Sequence, residues 1–214
     1  MKVNLTPGIA ELIGAIIGDG YIYRKNRKYQ IGIVGNPNTD KEYLEKLKEL
    51  IKKEWKKEVK IKLRSKAIRI VFYSKEICKF LTNDMKIFYG KGKCQRIMIP
   101  RQIFEDRNLA KLTIRGIADT DGSVFVSKKP GVENYHCIEI TTTSVNLANQ
   151  IKDLLNQNNF KVTSRLEKRK NINPNALPSY KVTLNGKENL KKWIGEIGFS
   201  NHYKYNRAIE YLNF

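Results

Sequence analysis

The chain has 214 residues, enough for one domain or two small ones, and its 41% hydrophobic share is ordinary for a protein with a packed core. Its 41 Lys and Arg against 21 Asp and Glu give a formal charge of +20 and a pI near 9.8, which points to a polyanionic partner; a Lys-rich thermophile surface is the competing explanation, but there Glu usually keeps pace with Lys. Three widely spaced cysteines and two histidines exclude a disulfide framework, a zinc ribbon and most His-rich metal centres, and without a signal peptide or an apolar run near ~20 residues the expected location is cytoplasmic.

Thr6-Pro7 opens a helix, an N-cap followed by proline at the first position. Ile9, Leu12, Ile13, Ile16 and Ile17 continue it at helical spacing, and Gly20 ends it. Tyr21–Tyr23 and Tyr29–Val34 flank the basic stretch Arg24–Lys28 and read as a hairpin. Thr39–Trp55 is an amphipathic helix. Val59–Leu63 and Ile68–Tyr73 make a second hairpin around Arg64–Ala67, and Ser74–Met85 is helical again. Lys86–Asp106 is less regular, broken by Gly90, Gly92 and Pro100.

The order then repeats. A helix from Asn108 to Asp121 precedes strands Ser123–Ser127 and Tyr135–Thr142 and a helix Val145–Asn158. Strands Lys161–Glu167 and Tyr180–Asn185 flank the polar stretch Lys168–Ser179, and helices Lys187–Ile197 and Tyr203–Leu212 follow. An α+β fold of two αββαββα halves, residues 1–106 and 107–214, is expected from an internal duplication.

Each half begins with the same phrase, Leu12–Gly20 in one and Ile114–Gly122 in the other: an apolar helical run ended by Asp-Gly. Gly14 and Gly18 share one helical face, as do Gly116 and Thr120, and small residues four apart let two helix backbones approach closely. Packed against each other, the helices would bring Asp19 and Asp121 side by side at the same end. Two acids at the negative ends of two helix dipoles repel, and a divalent cation removes the conflict. Carboxylates with water and phosphate oxygens are the usual surroundings of Mg²⁺, so Mg²⁺ is the expected ion, with Mn²⁺ or Ca²⁺ able to replace it in binding. Gly18 and Thr120, each preceding an acid, are further candidates around the ion. A single Asp-Gly after an apolar helix is usually a turn; two in equivalent positions of a +20 chain are not so easily dismissed.

The two nonapeptides resemble the paired signatures of LAGLIDADG homing endonucleases in their single-chain form with two motifs, and the repeated element order extends the likeness over nearly the whole chain. The resemblance implies a pseudo-two-fold fold with the motif helices at its interface. It implies antiparallel sheets forming a saddle in the DNA major groove. Asp19 and Asp121 would bind divalent metal at the two scissile phosphates. Asp119 corresponds to a less critical acidic position, which is Ile17 in the first copy. By position, Asn36 and Thr143 are the polar residues that order solvent, and Lys91 and Lys204 the basic residues that stabilise charge. Lys93 and Arg96 lie close to Lys91, and Gly198–Lys204 resembles the segment that commonly carries the second lysine.

Alternating strand residues can present one face to base edges while the other packs on helices. Tyr21, Tyr23, Lys25, Lys28, Gln30, Arg64, Lys66 and Arg69 are the DNA-binding candidates of the first half, and Ser123, Lys128, Lys129, Arg165, Lys168 and Arg169 those of the second. Arg and Gln suit bases, and many of the lysines suit phosphates. Unlike basic loops in the two halves predict a long asymmetric target, ~10 bp for each half of a monomer. The stretch Lys170–Asn175 reads as a mobile loop. The expected activity is Mg²⁺-dependent, site-specific cleavage of double-stranded DNA. An RNA maturase or a DNA-binding regulator of the same fold is the alternative. With Met1 at one end, Leu212-Asn-Phe214 at the other and no flanking splicing segments, a free-standing or intron-encoded protein is expected rather than an intein.

Overall fold

Thr6 caps the first helix, α1 (Pro7–Ile17), by accepting the Ile9 N–H on its hydroxyl at 3.1 Å, with Pro7 in the first turn where its missing N–H costs nothing. The computed structural model describes residues 4–168 and 177–213. Helix α1 stops at Ile17, three residues before the expected Gly20, because Gly18 (ψ −102°) leaves helical geometry. It is buried from Ile9 through Ile17.

Strands β1 (Gly20–Lys25) and β2 (Lys28–Gly35) form the first hairpin. Its turn is only Asn26-Arg27, both at positive φ, which is the two-residue form whose twist matches paired strands. Arg24 and Lys25 are therefore strand residues, paired with Tyr29 and Lys28. Helix α2 (Lys41–Trp55) buries Tyr43, Leu44, Leu47, Ile51 and Trp55 at helical spacing. Strands β3 (Lys60–Arg64) and β4 (Ala67–Tyr73) complete an antiparallel sheet of order β1-β2-β4-β3.

The helix expected over Ser74–Met85 divides: α3 (Lys75–Lys79) runs into one π-helical turn, Phe80–Asp84. The stretch expected to be irregular holds two short helices, α4 (Lys93–Arg96) and α5 (Arg101–Phe104). Asp106 then caps α6 (Arg107–Asp121), accepting the N–H groups of Asn108 and Leu109.

In the second half, β5 (Gly122–Lys129) and β6 (Val132–Thr142) are longer than expected, because Pro130-Gly131, with Gly131 at φ 77°, makes a tight turn. Helix α7 (Val145–Gln157), β7 (Val162–Glu167), β8 (Ser179–Asn185), α8 (Lys187–Glu196) and α9 (His202–Leu212) follow, and the second sheet has the order β5-β6-β8-β7. The two sheets thus repeat one topology.

Helices α1 and α6 pack along each other between the sheets, and one continuous apolar core runs through both halves. A side chain at Gly14 would run into the Thr113 carbonyl, and one at Gly116 into the Glu11 carbonyl. Thr113 donates its hydroxyl to the Ala10 carbonyl at 2.9 Å, and Arg115 meets Glu11 at 2.6 Å, so the backbones touch where the small residues permit. Among the described residues no helix is long and apolar enough to cross a membrane.

Candidate active site

The packing of α1 on α6 puts the ends of both motifs at one place. A side chain at Gly18 would collide with the Thr120 hydroxyl and come within 3.2 Å of the Asp121 carboxylate. Asp19 follows Gly18, and its carbonyl accepts the Val34 N–H at 3.1 Å, which ties the first motif to β2. Among the described residues neither motif carboxylate accepts a hydrogen bond or sits in an ion pair. Burial raises Asp121 to about 7, and the charge of Asp19 adds to this against the pull of Lys93 and Lys204. Asp19, which keeps contact with solvent, is raised by the protein crowded around it, with Lys204 opposing and Asp40 reinforcing the shift.

Two lysines close the helix ends. Lys93 donates to the carbonyls of Ile16 (2.8 Å), Ile17 (3.0 Å), Gly18 (3.2 Å) and Gly20 (2.6 Å). Lys204 donates to Ala118 and Thr120, both at 2.9 Å. Each ammonium occupies the negative end of a helix dipole and satisfies carbonyls the helix cannot. Burial pushes Lys93 down to about 8, with Asp121 and then Asp19 pulling back, and burial likewise lowers Lys204 against Asp119 and Asp40. Lys93, not Lys91, is thus the counterpart of Lys204. Lys91 stays exposed on the loop, because Gly90 and Gly92 both turn at positive φ and α4 starts only at Lys93. A lysine directly after the second glycine was the available signal.

The remaining candidates take distinct places. Gly18 and Thr120 offer their carbonyls, and both already accept a lysine; the Thr120 hydroxyl bonds back to Gly116 and Ile117. Thr143 donates to the Cys94 carbonyl at 2.8 Å, and both help line a cavity of about 250 Å³ with Gly18, Lys93 and Asp121. Asn36 is exposed; its N–H reaches Asp40 at 2.7 Å, and its side chain accepts the Asn38 N–H. Asp119, 1% exposed, accepts the Ser200 and Asn201 N–H groups and is raised by burial to about 7. The bonds of its carboxylate lie within the second half, and no local pattern revealed Asn201, which also donates to Asp40 of the first half.

Two open carboxylates suit a divalent cation, since each otherwise repels the other in a site that lifts both above their ordinary range. Among the described residues no cluster of three or more His, Cys, Asp or Glu could hold a metal. Water and a substrate phosphate would have to complete the shell, which is the usual arrangement for Mg²⁺.

The sheets place most of the DNA candidates on one face. In the first sheet Tyr21, Tyr23 and Lys25 alternate with buried Ile22 and pair with Gly32, Gln30 and Lys28. Tyr21 lies over Gly32, where any side chain would strike its ring, and accepts Gln30 Nε2 at 2.8 Å. Arg69 pairs with Lys62 and Val34, Arg64 ends β3 opposite Ala67, and Lys66 is in the turn between β3 and β4. Lys60 and Lys62 share this face and were missed, although the alternation Lys60-Ile-Lys-Leu-Arg64 carried the signal.

In the second sheet Ser123 pairs with Glu139, and Lys129 covers the Tyr135 ring at 3.5 Å. Arg165 lies 3.8 Å from Glu139, and Lys181 lies 3.0 Å from it. Lys128 falls at the register shift between Ser127 and Lys129, off the regular alternation. Lys168 is exposed beyond β7; Arg169 and the stretch Lys170–Asn175 lie outside the described residues.

Comparison with known proteins bears on this geometry. A family model described as a LAGLIDADG-like domain matches residues 108–198, and one described as a WhiA LAGLIDADG-like domain matches residues 10–90. The fold is similar to the homing endonuclease I-DmoI in complex with DNA and Mn, with a TM-score of 0.62 and 18% identity over 91% of this chain and 98% of that one. The complex of I-DmoI with DNA and Ca gives 0.64 and 17% over 97% and 98%. The LAGLIDADG meganuclease I-AabMI bound to uncleaved DNA gives 0.59 and 14% over 98% and 90%. Two curated relatives are replication factor C small subunits, from Methanocaldococcus jannaschii (28% identical over 95% of this chain) and Thermococcus kodakarensis (24% over 94%). The chain spans about 10% and 21% of the length of these relatives.

Proposed function

This chain carries two LAGLIDADG-like domains in tandem, and from that premise we propose that it is a site-specific endonuclease that cuts both strands of double-stranded DNA. The single observation that carries the reading is the meeting of Asp19 and Asp121, unpaired, between Lys93 and Lys204. The motif acids would hold Mg²⁺ or a similar divalent ion, which supplies activated water and charge neutralisation at the scissile phosphates. Lys93 and Lys204 would stabilise charge as it develops on the phosphate oxygens, since each is fixed before substrate arrives. Tethering of Thr143 to the Lys93 segment, and the position of Asn36 beside Asp40, support a role for both in ordering solvent.

The two halves, residues 1–106 and 107–214, would each read about one turn of an asymmetric target through the same face of their sheets, the protein acting as a monomer. The match to the replication factor C relatives spans about 10% and 21% of their length, so their printed name carries no activity over to this chain. The retention of both acids, unpaired between two lysines, favours the nuclease over a maturase or regulator of the same fold.

The test is incubation of the protein with a library of duplex DNA and Mg²⁺, beside Asp19→Asn and Asp121→Asn. Discrete cuts are expected from the native chain, with a loss of at least about 10²-fold in either variant and DNA binding retained. Tight binding of DNA or RNA with no cutting by any of the three would move the assignment to the binding-protein alternative.

A further inference from the structure

The sheet faces turned away from the core differ in kind as well as in charge. The strand registers place Glu139 where the first sheet has Gly32, Arg165 where it has Lys62, Glu167 where it has Arg64 and Lys181 where it has Arg69. The second half thus sets two acids where the first has none, in a chain of charge +20. A carboxylate on a face that meets DNA repels phosphates, so each acid needs a reason of its own.

Glu167 is matched by Lys181 at 3.4 Å. Glu139 is different. It lies within β6 between buried Ile138 and Ile140, so its side chain points away from the core. Lys181 meets its Oε1 at 3.0 Å, but that cation does not depend on Glu139, since Arg69 stands at the same place of the first sheet with Gly32 and Arg64 in place of the acids. The Oε2 atom faces Arg165 at 3.8 Å, too far for a hydrogen bond. The guanidinium is 69% exposed and the carboxylate 11%, so a donor fork stands above a recessed acceptor. Both line a cavity of about 290 Å³ together with the uncharged Phe125, Cys137, Thr163 and Thr183.

In the major groove a G·C pair complements this set. Guanine offers O6 and N7 as adjacent acceptors for a guanidinium fork, and cytosine offers the N4 amino group as a donor. An A·T pair has no two adjacent acceptors on one base. We infer that Arg165 and Glu139 together read one G·C pair in the half-site under the second sheet, Arg165 donating to guanine O6 and N7 and Glu139 accepting from cytosine N4. This rests on the DNA-binding part of the reading above and does not depend on cleavage.

The test uses the full chain in Ca²⁺ with a randomised duplex library, the bound sequences being recovered and counted. The native chain should enrich a G·C pair roughly tenfold at one position of one half-site. Arg165→Ala, on the exposed edge strand β7, should reduce that preference to within about twofold of none. Glu139→Gln, of the same shape, should reduce it to about threefold and leave the other positions unchanged. Lys62→Ala, at the corresponding place with no acid beside it, should weaken binding to all sequences alike. Unaltered base preferences in Glu139→Gln, or changes at different positions in Glu139→Gln and Arg165→Ala, overturn the inference and leave DNA binding intact. Release by Arg165→Ala of a pair other than G·C overturns it whether or not Glu139→Gln folds. A native chain that enriches no sequence overturns the site-specific DNA reading itself, and this inference with it.

Discussion

Lys93 and Lys204 each perform two tasks with one ammonium. They satisfy the carbonyls that α1 and α6 leave unpaired, and they face the two motif acids. Neither lysine relieves the acids fully, because burial is the largest influence on both carboxyls. Asp121 lies at about 7 in the folded chain against an ordinary 3.8, so its ionised form costs stability. The cost is absent below about pH 4, where the carboxyl is neutral folded or unfolded. It grows as pH rises toward 7 and is constant above. Asp121→Asn should therefore add roughly 1–2 kcal/mol of stability at pH 8, after allowance for the partial exposure of the side chain, seen as a higher melting temperature, and change little at pH 4. Mg²⁺ should stabilise the native chain at pH 8 and the variant much less. Thermal unfolding across pH, with and without Mg²⁺, measures both effects, and a melting temperature in the variant that is independent of pH relative to the native chain would contradict the assignment.

At the scale of elements, the α1–α6 pair decides the geometry. Its closest approach is backbone on backbone at Gly14 and Gly116, so the pair can accept no added carbon there. Gly116→Val should cost about 2–3 kcal/mol, seen as a lower urea midpoint. Gly195→Ala provides the contrast, since it lies in α8 with open space around it, and should stabilise by about 0.5–1 kcal/mol. Equal effects at the two positions would mean that the helix backbones are not in contact. The tight turns at Asn26-Arg27 and Pro130-Gly131 matter for a different reason: they extend the strands, and with them the face that would meet DNA.

Across the whole molecule the +20 charge is not spread alike. The first sheet shows Lys25, Lys28, Lys60, Lys62, Arg64 and Arg69 on one face, while the second sets Glu139 and Glu167 among Arg165 and Lys181. The first half should therefore supply most phosphate contacts and the second more of the base reading. Binding measured in Ca²⁺ should fall steeply with salt, with a slope of log affinity against log salt of about −5 to −9. Changing Lys60, Lys62 and Arg64 together to Gln should reduce the slope by roughly 2–3, and Arg165→Gln should reduce it by less than 1, because Glu139 already faces that guanidinium. A flat salt response would sink the assignment of these faces to DNA.

The sequence by itself determined the duplication, the order of strands and helices, the motif acids and most of the exposed faces. These are periodic or repeated features, and burial of an apolar stripe at a spacing of 3.6 or 2 is a local demand that the chain states locally. Tertiary structure alone decided that Lys93 rather than Lys91 reaches the motif helices, because two left-handed glycines set where α4 begins. It also decided that Asp119, Asn201 and Asp40 meet, and that the helix expected over Ser74–Met85 breaks into a π-helical turn. Those outcomes depend on which unpaired carbonyl, carboxylate or N–H lies within 3 Å once distant segments pack, a condition no residue can state about itself.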